Sequence, residues 1–134
     1  MRRHFEKLKN KKDFERVYKN GRVIISKDYK IKAKVVIKPC SSVCLFRYGI
    51  SVISIKGNSV WRNRLKRVIR DVVSKESITL QQTTSENKIN IEVVFSPHSI
   101  NQKNYSKIFY KDIASSYQDI LNKLKLTLIP RPPL

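Results

Sequence analysis

LFRYGISVISIKGNSVWRNRLKRVIR, residues 45–70, changes its apolar period halfway along, and that change decides the fold. Residues 45–55 read as a strand. From Ile50 onward the stretch is apolar on both faces, which predicts a central position in a sheet. Gly57-Asn58-Ser59 breaks the strand and offers helix caps. A helix follows from 59 to about 74. On a helical wheel Trp61, Leu65, Val68, Ile69 and Val72 fall on one arc. Arg62, Asn63, Arg64, Lys66, Arg67 and Arg70 fill the rest, with no acid among residues 60–70. One face is built to pack on a sheet. The other is cationic, with Arg62, Lys66 and Arg70 in a row at steps of about 6 Å. An ordinary solvated face intersperses acids that form i, i+4 pairs, whereas like charges at that spacing repel. A helix that accepts this repulsion points to an anionic partner, and the bidentate arginine fork suits phosphate.

Outward from this stretch, residues 28–38 alternate. Tyr29, Ile31, Ala33, Val35 and Ile37 point one way; Lys30, Lys32, Lys34 and Lys38 point the other. Residues 39–42, PCSS, read as a turn, so this strand is expected to form an antiparallel hairpin with 45–55. Asp13 to Asn20 reads as a short helix with Phe14, Val17 and Tyr18 on one face. Asn20-Gly21 stops it, and Asn10 or Asp13 caps its start. Residues 75–88 are polar and predict a loop with at most one helical turn. Residues 89–95, INIEVVF, make a third strand, ended by Pro97. From Tyr105 to Leu124, Ile108, Phe109, Ile113, Tyr117, Ile120, Leu121 and Leu124 keep helical spacing and predict the main cover of the sheet. The expected class is α+β, a small mixed sheet of about three to four strands packed with helices. The element order is α-β-β-α-β-α, with a β-α-β crossover from strand 45–55 through helix 59–74 to strand 89–95. One domain is expected over 1–126, with a loose tail at 127–134 whose PRPPL cannot continue a helix.

The chain has 134 residues and a net charge of +19. Residues 1–70 carry 21 basic and 4 acidic residues, a net of +17; residues 71–134 carry 8 and 6, a net of +2. The first half is the electrostatic half, and its balance points first to nucleic acid. No apolar run is long enough for a transmembrane helix, and the basic N-terminus leads into no signal-type apolar segment, so a cytoplasmic protein without a membrane partner is expected. Cys40 and Cys44 cannot form a tetrahedral zinc site alone, with His4 and His98 distant in sequence, and are expected as small, reduced residues. The ten acids are scattered, and neither His lies near the basic helix, which argues against catalysis by protein side chains. A DNA-reading helix-turn-helix does not fit, because the basic helix lies between strands. A ribosomal protein or general RNA chaperone fits the charge equally well.

Three segments together resemble the protein subunit of bacterial ribonuclease P. They are GNSVWRNRLKRVIR (57–70), DFERVYKNG (13–21) and RYGISV (47–52), in the family's order and spacing. The resemblance implies a protein that binds a large catalytic RNA and assists removal of the 5′ leader from precursor tRNA. The cleavage chemistry would belong to the RNA and its bound Mg²⁺, with no catalytic or metal-binding side chain and no stable protein partner. It also implies a left-handed β-α-β crossover, against the usual handedness. By the same resemblance Arg62, Asn63, Arg64, Lys66, Arg67 and Arg70 contact the catalytic RNA. Phe14, Tyr18 and Ser51 line the leader cleft. Where the family carries a Ser and two basic residues, this chain has Ile53, Ser54 and Ile55, with Lys56 just after, which is expected in the leader cleft. Lys30, Lys32 and Lys34 are expected to supply the missing charge from the neighbouring strand.

Overall fold

The computed structural model describes residues 5–8, 10–40, 44–77, 80, 84 and 86–128, and at 5, 6 and 128 the backbone alone. Five strands and three helices organise these residues. They run β1 (Phe5–Lys7), α1 (Lys11–Asn20), β2 (Arg22–Ile25), β3 (Ile31–Pro39), β4 (Phe46–Ile50), α2 (Ser59–Glu76), β5 (Ile89–Pro97) and α3 (Tyr110–Leu128). A short 3₁₀ turn at Ser54–Lys56 precedes α2. The α+β class and the mixed sheet are as expected. The sheet order is β1-β4-β5-β3-β2, and the strands at its two edges, β1 and β2, are short segments of three and four residues.

The expected hairpin between β3 and β4 does not form. β5 lies between them, antiparallel to β3 over nine residue pairs and parallel to β4. The reason lies in β5 itself. Ile91 through Phe95 are all buried, on both faces, so this strand takes the centre. Leaving β3 at Pro39 and entering β4 at Phe46 crosses one strand, a step of about 10 Å that the intervening residues span easily. β4 also ends at Ile50 rather than continuing to 55, and the exposed Ile53 and Ile55 lie beyond it. β3 begins at Ile31; Tyr29 belongs to the preceding turn and is exposed.

Both basic-half helices start on asparagine. The Asn10 side chain accepts the Asp13 N–H at 2.9 Å, and the Asn58 side chain accepts the Trp61 N–H at 2.9 Å. α3 starts later than expected, because the Asp112 carboxylate accepts the Phe109 N–H and fixes the first turn there. It also runs through Leu128, into the segment expected as tail; residues 129–134 lie outside the described residues. Within 75–88, Leu80, Thr84, Glu86 and Asn87 are helical, and Leu80 is fully buried, so this stretch contributes to the core. Residues 78, 79, 81–83 and 85 lie outside the described set. Cys40 and Cys44, expected as reduced thiols, are joined in a disulfide with their Cα atoms 5.7 Å apart, within bridging range.

The main core lies on one face of the sheet. Trp61, Leu65, Ile69 and Val72 of α2 and Ile113, Tyr117, Ile120, Leu121 and Leu124 of α3 pack there against Phe46, Tyr48, Ile91, Val93 and Phe95. The Trp61 indole N–H donates to the Tyr105 carbonyl at 2.7 Å, which ties α2 to the segment before α3. Among the described residues, the helix on the opposite face is α1, which packs there through a small cluster of Val17, Phe14, Leu8, Val94 and Val36. Much of that second face is left open, and it is the face to which the β3 lysines point.

Candidate nucleic-acid interface

The cationic side of α2 stands free. Asn63, Arg64, Arg67 and Arg70 are exposed, and Arg62 and Lys66 are half-buried. Arg62 is steadied by donating from Nε to the Gly57 carbonyl at 3.1 Å. Asp71, the first acid after the ridge, is engaged at 3.3 Å by Lys75. Among the described residues, no carboxylate forms an ion pair with Arg64, Lys66, Arg67 or Arg70.

Asp13 and Glu92 are committed elsewhere, in a cluster beneath α1. Glu92 of β5 has a nearly buried side chain, and Arg16, Arg47 and Lys38 gather around it. Arg47 reaches it at 3.1 Å and reaches Asp13 at 3.3 Å; Arg16 bridges the same two carboxylates. The hydrogen bonds to Glu92, above all, hold the Arg16 guanidinium above its ordinary pKa. Arg16 and Arg47 therefore serve the fold. Sequence reasoning missed this cluster, whose one signal was a single acid in the middle of an apolar strand. Asp28 is tied as well. Burial pushes its carboxyl up, but hydrogen bonds from Ser26, Ser116 and the Lys30 N–H outweigh this and hold it below the usual carboxylate range.

The open sheet face is ordered in rows by the pairing register. Lys34, Val94 and Gly49 form the row beneath α1. Lys32 and Ser96 form the next, and Ser51 joins them by donating its N–H to the Phe95 carbonyl at 2.9 Å. Lys30 and His98 form the third, linked by His98 N–H to the Lys30 carbonyl at 2.8 Å. Rows are about 6.7 Å apart along the strands. Phe14 lies directly over Gly49: a Cβ on that glycine would come within 2.5 Å of Phe14 Cζ. Lys34 Nζ sits 5.1 Å over the Tyr18 ring and donates to the Tyr18 carbonyl at 3.1 Å.

Of the expected cleft residues, Phe14, Tyr18 and Lys34 thus come together, with Lys32 and Ser51 in the adjoining row. Lys30 and Lys56 belong to a separate group at the far end of the face. Lys56 Nζ donates to the His98 carbonyl at 2.6 Å, and Lys30 Nζ sits 5.3 Å over the Tyr105 ring. The structure also joins two groups that the sequence kept apart. A groove of about 180 Å³ beside β4, just past the end of β1, is lined by Phe14 and Gly49 on one side and by Lys66, Arg70 and Lys7 on the other. The aromatic cleft and the cationic ridge are therefore continuous around the end of β1. This arrangement offers phosphate-binding charge beside aromatic and apolar surface, the combination that suits single-stranded nucleic acid.

Comparison with known proteins agrees. The family model for ribonuclease P matches residues 2–125. The ribonuclease P protein component of Lachnoclostridium phytofermentans is 38% identical over 104 residues, covering 77% of this chain and 79% of the relative. That of Staphylococcus haemolyticus is 29% identical over 115 residues, covering 80% and 95%. Among solved structures, the Staphylococcus aureus RNase P protein matches with a TM-score of 0.61 at 22% identity, covering 89% of this chain and 94% of that one. The Thermotoga maritima RNase P protein matches with a TM-score of 0.61 at 18% identity, covering 93% and 98%. The two structures share the fold, and the family model spans nearly all of the sequence: the chain belongs to the ribonuclease P family as a protein component of that enzyme.

Proposed function

We propose that this chain binds the catalytic RNA of ribonuclease P through the α2 ridge and holds the 5′ leader of precursor tRNA along the open sheet face beside α1. Arg62, Asn63, Arg64, Lys66, Arg67 and Arg70 make the first contact. Phe14, Tyr18, Lys34, Lys32 and Ser51 make the second. The work takes place in the cytoplasm, and the partners are two RNAs. One observation carries the reading: among the described residues Arg64, Lys66, Arg67 and Arg70 of α2 form a cationic ridge without acid partners, while Glu92, Asp13 and Asp71 are paired with other cations. Leader binding is supported by the neighbouring face, where two aromatics lie beside a row of lysines and a base can stack without any sequence being demanded.

Hydrolysis itself is assigned to the RNA and its Mg²⁺. In this reading the protein's part is to position and to neutralise. Neutralising phosphates lowers the Mg²⁺ needed to bring two polyanions together. The test is reconstitution with a bacterial ribonuclease P RNA and precursor tRNA at low Mg²⁺. Stimulated 5′-leader removal that is abolished by prior ribonuclease treatment is expected. No stimulation with a cognate RNA overturns the reading.

A further inference from the structure

Tyr29 has a backbone φ of 63°, in the left-handed region that a bulky side chain rarely adopts. The residue is 63% exposed. The conformation is imposed from both sides. Tyr29 N–H donates to the Ser26 carbonyl at 2.9 Å, and its own carbonyl accepts the Ser99 N–H at 2.9 Å. Strain of this kind concentrates at functional sites. The fold draws little packing from the ring, whose aromatic neighbour among the described residues is His98, at 6.4 Å between centroids and tilted by 36°.

Around this pair the charge is positive and the supports are rigid. The Lys56 ammonium donates to the His98 carbonyl and the Lys30 backbone carbonyl accepts the His98 N–H, while the Lys30 ammonium sits 5.3 Å over the Tyr105 ring. Asp28, the nearest acid in sequence, has its carboxylate occupied by Ser26, Ser116 and the Lys30 N–H. The next acid in the chain is Asp71. The position is also continuous with the open sheet face: Lys34, Lys32 and Lys30 lead from Tyr18 to His98 over about 13 Å.

We propose that Tyr29 and His98 form a second base-stacking site for single-stranded RNA, with Lys30 and Lys56 as phosphate partners. It takes nucleobases of the precursor leader further from the cleavage site than those beside Phe14 and Tyr18. The inference rests on the leader reading above and extends it to a second contact. A nucleobase from an unpaired part of the catalytic RNA has the same chemistry; the continuous lysine track assigns the site to the leader.

The test is binding of precursor tRNAs with leaders of graded length, and of mature tRNA, to the complex reconstituted with catalytic RNA. Tyr29→Ala is expected to weaken long-leader substrates roughly tenfold, the loss of one base stack, and to leave short-leader and mature tRNA unchanged. Tyr29→Phe, which keeps the ring, restores binding. Tyr29→Asn, whose side chain tolerates left-handed backbone, shows the same loss of affinity with no loss of thermal stability. Equal losses at every leader length, no loss at all, or a loss confined to binding of the catalytic RNA alone overturns the proposal. A double variant Phe14→Ala/Tyr18→Ala separates the two readings. If it weakens every leader-bearing substrate while Tyr29→Ala weakens none, the second site fails and the leader track stands. If neither variant affects any leader, both fail.

Discussion

Arg16 of α1 donates from both Nε, at 3.2 Å, and Nη2 to the two oxygens of Glu92 on β5, across a sequence separation of 76 residues. This pair, shared with Arg47 and Asp13, fastens the first helix to the sheet face that it only partly covers. It fixes where Phe14 and Tyr18 stand relative to the lysine row. Glu92→Ala leaves two guanidinium groups without their main partner and is expected to cost about 2–3 kcal/mol. Arg16→Ala leaves Glu92 with Arg47 and Lys38 and is expected to cost about half as much. Urea denaturation of the two variants checks the order; a Glu92→Ala cost below that of Arg16→Ala contradicts it.

The contact of Phe14 with Gly49 predicts a non-additive pair. Gly49→Ala forces the Phe14 ring aside and is expected to lower stability by about 1–3 kcal/mol. In Phe14→Ala the obstruction is gone, so adding Gly49→Ala to it costs far less than Gly49→Ala alone. Thermal melts of the three variants measure the coupling. Simple additivity shows that the close approach has no energetic weight.

Tyr110 donates its hydroxyl to Glu76 at 2.8 Å, and burial, with that hydrogen bond and the nearby carboxylates, raises its pKa to about 12. An unfolded tyrosine titrates near 10. A raised folded pKa gives stability that is full below the unfolded value and is lost as pH climbs toward the folded one. Stability is therefore expected to fall between about pH 10 and 12, and less steeply in Tyr110→Phe. Tyr117, deeply buried and raised in the same direction, adds to the fall. Identical slopes for wild type and Tyr110→Phe remove Tyr110 as a cause.

The free arginines of α2 predict salt dependence. The logarithm of the affinity for the catalytic RNA falls linearly with that of salt concentration. Arg64→Ala and Arg67→Ala each reduce the slope by about one. Arg47→Ala, whose guanidinium is engaged by Glu92 and Asp13, leaves the slope unchanged. A change as large at Arg47 as at Arg64 would count against the division between structural and RNA-facing arginines.

Much of this was legible in the chain. The faces of α2 follow from 3.6-residue spacing, and Trp61, Leu65, Ile69 and Val72 are buried where the wheel put them. The alternation at Lys32 and Lys34 likewise reports a real second face. What a period-two stretch does not report is its neighbour. It specifies two faces of one strand, so the insertion of β5 between β3 and β4 could not be read from either. The split of the expected cleft set follows from the same limit, since Lys30 and Lys56 reach His98 only through strand pairing and a turn. Three- and four-residue edge strands carry too little period to be seen. Burial of Leu80 was hidden by its polar neighbours.

In the proposed function, two surfaces of the protein divide two RNAs between them. Equilibrium binding of catalytic RNA, precursor tRNA and mature tRNA tests it most directly, with the paired variants Tyr18→Ala/Lys34→Ala and Arg64→Ala/Arg67→Ala. The first pair is predicted to lower the precursor-over-mature affinity ratio roughly tenfold while leaving affinity for the catalytic RNA intact. The second is predicted to weaken the catalytic RNA and leave that ratio unchanged. A ratio untouched by the first pair, or both pairs moving the same quantity, would show that the two surfaces do not divide the RNAs.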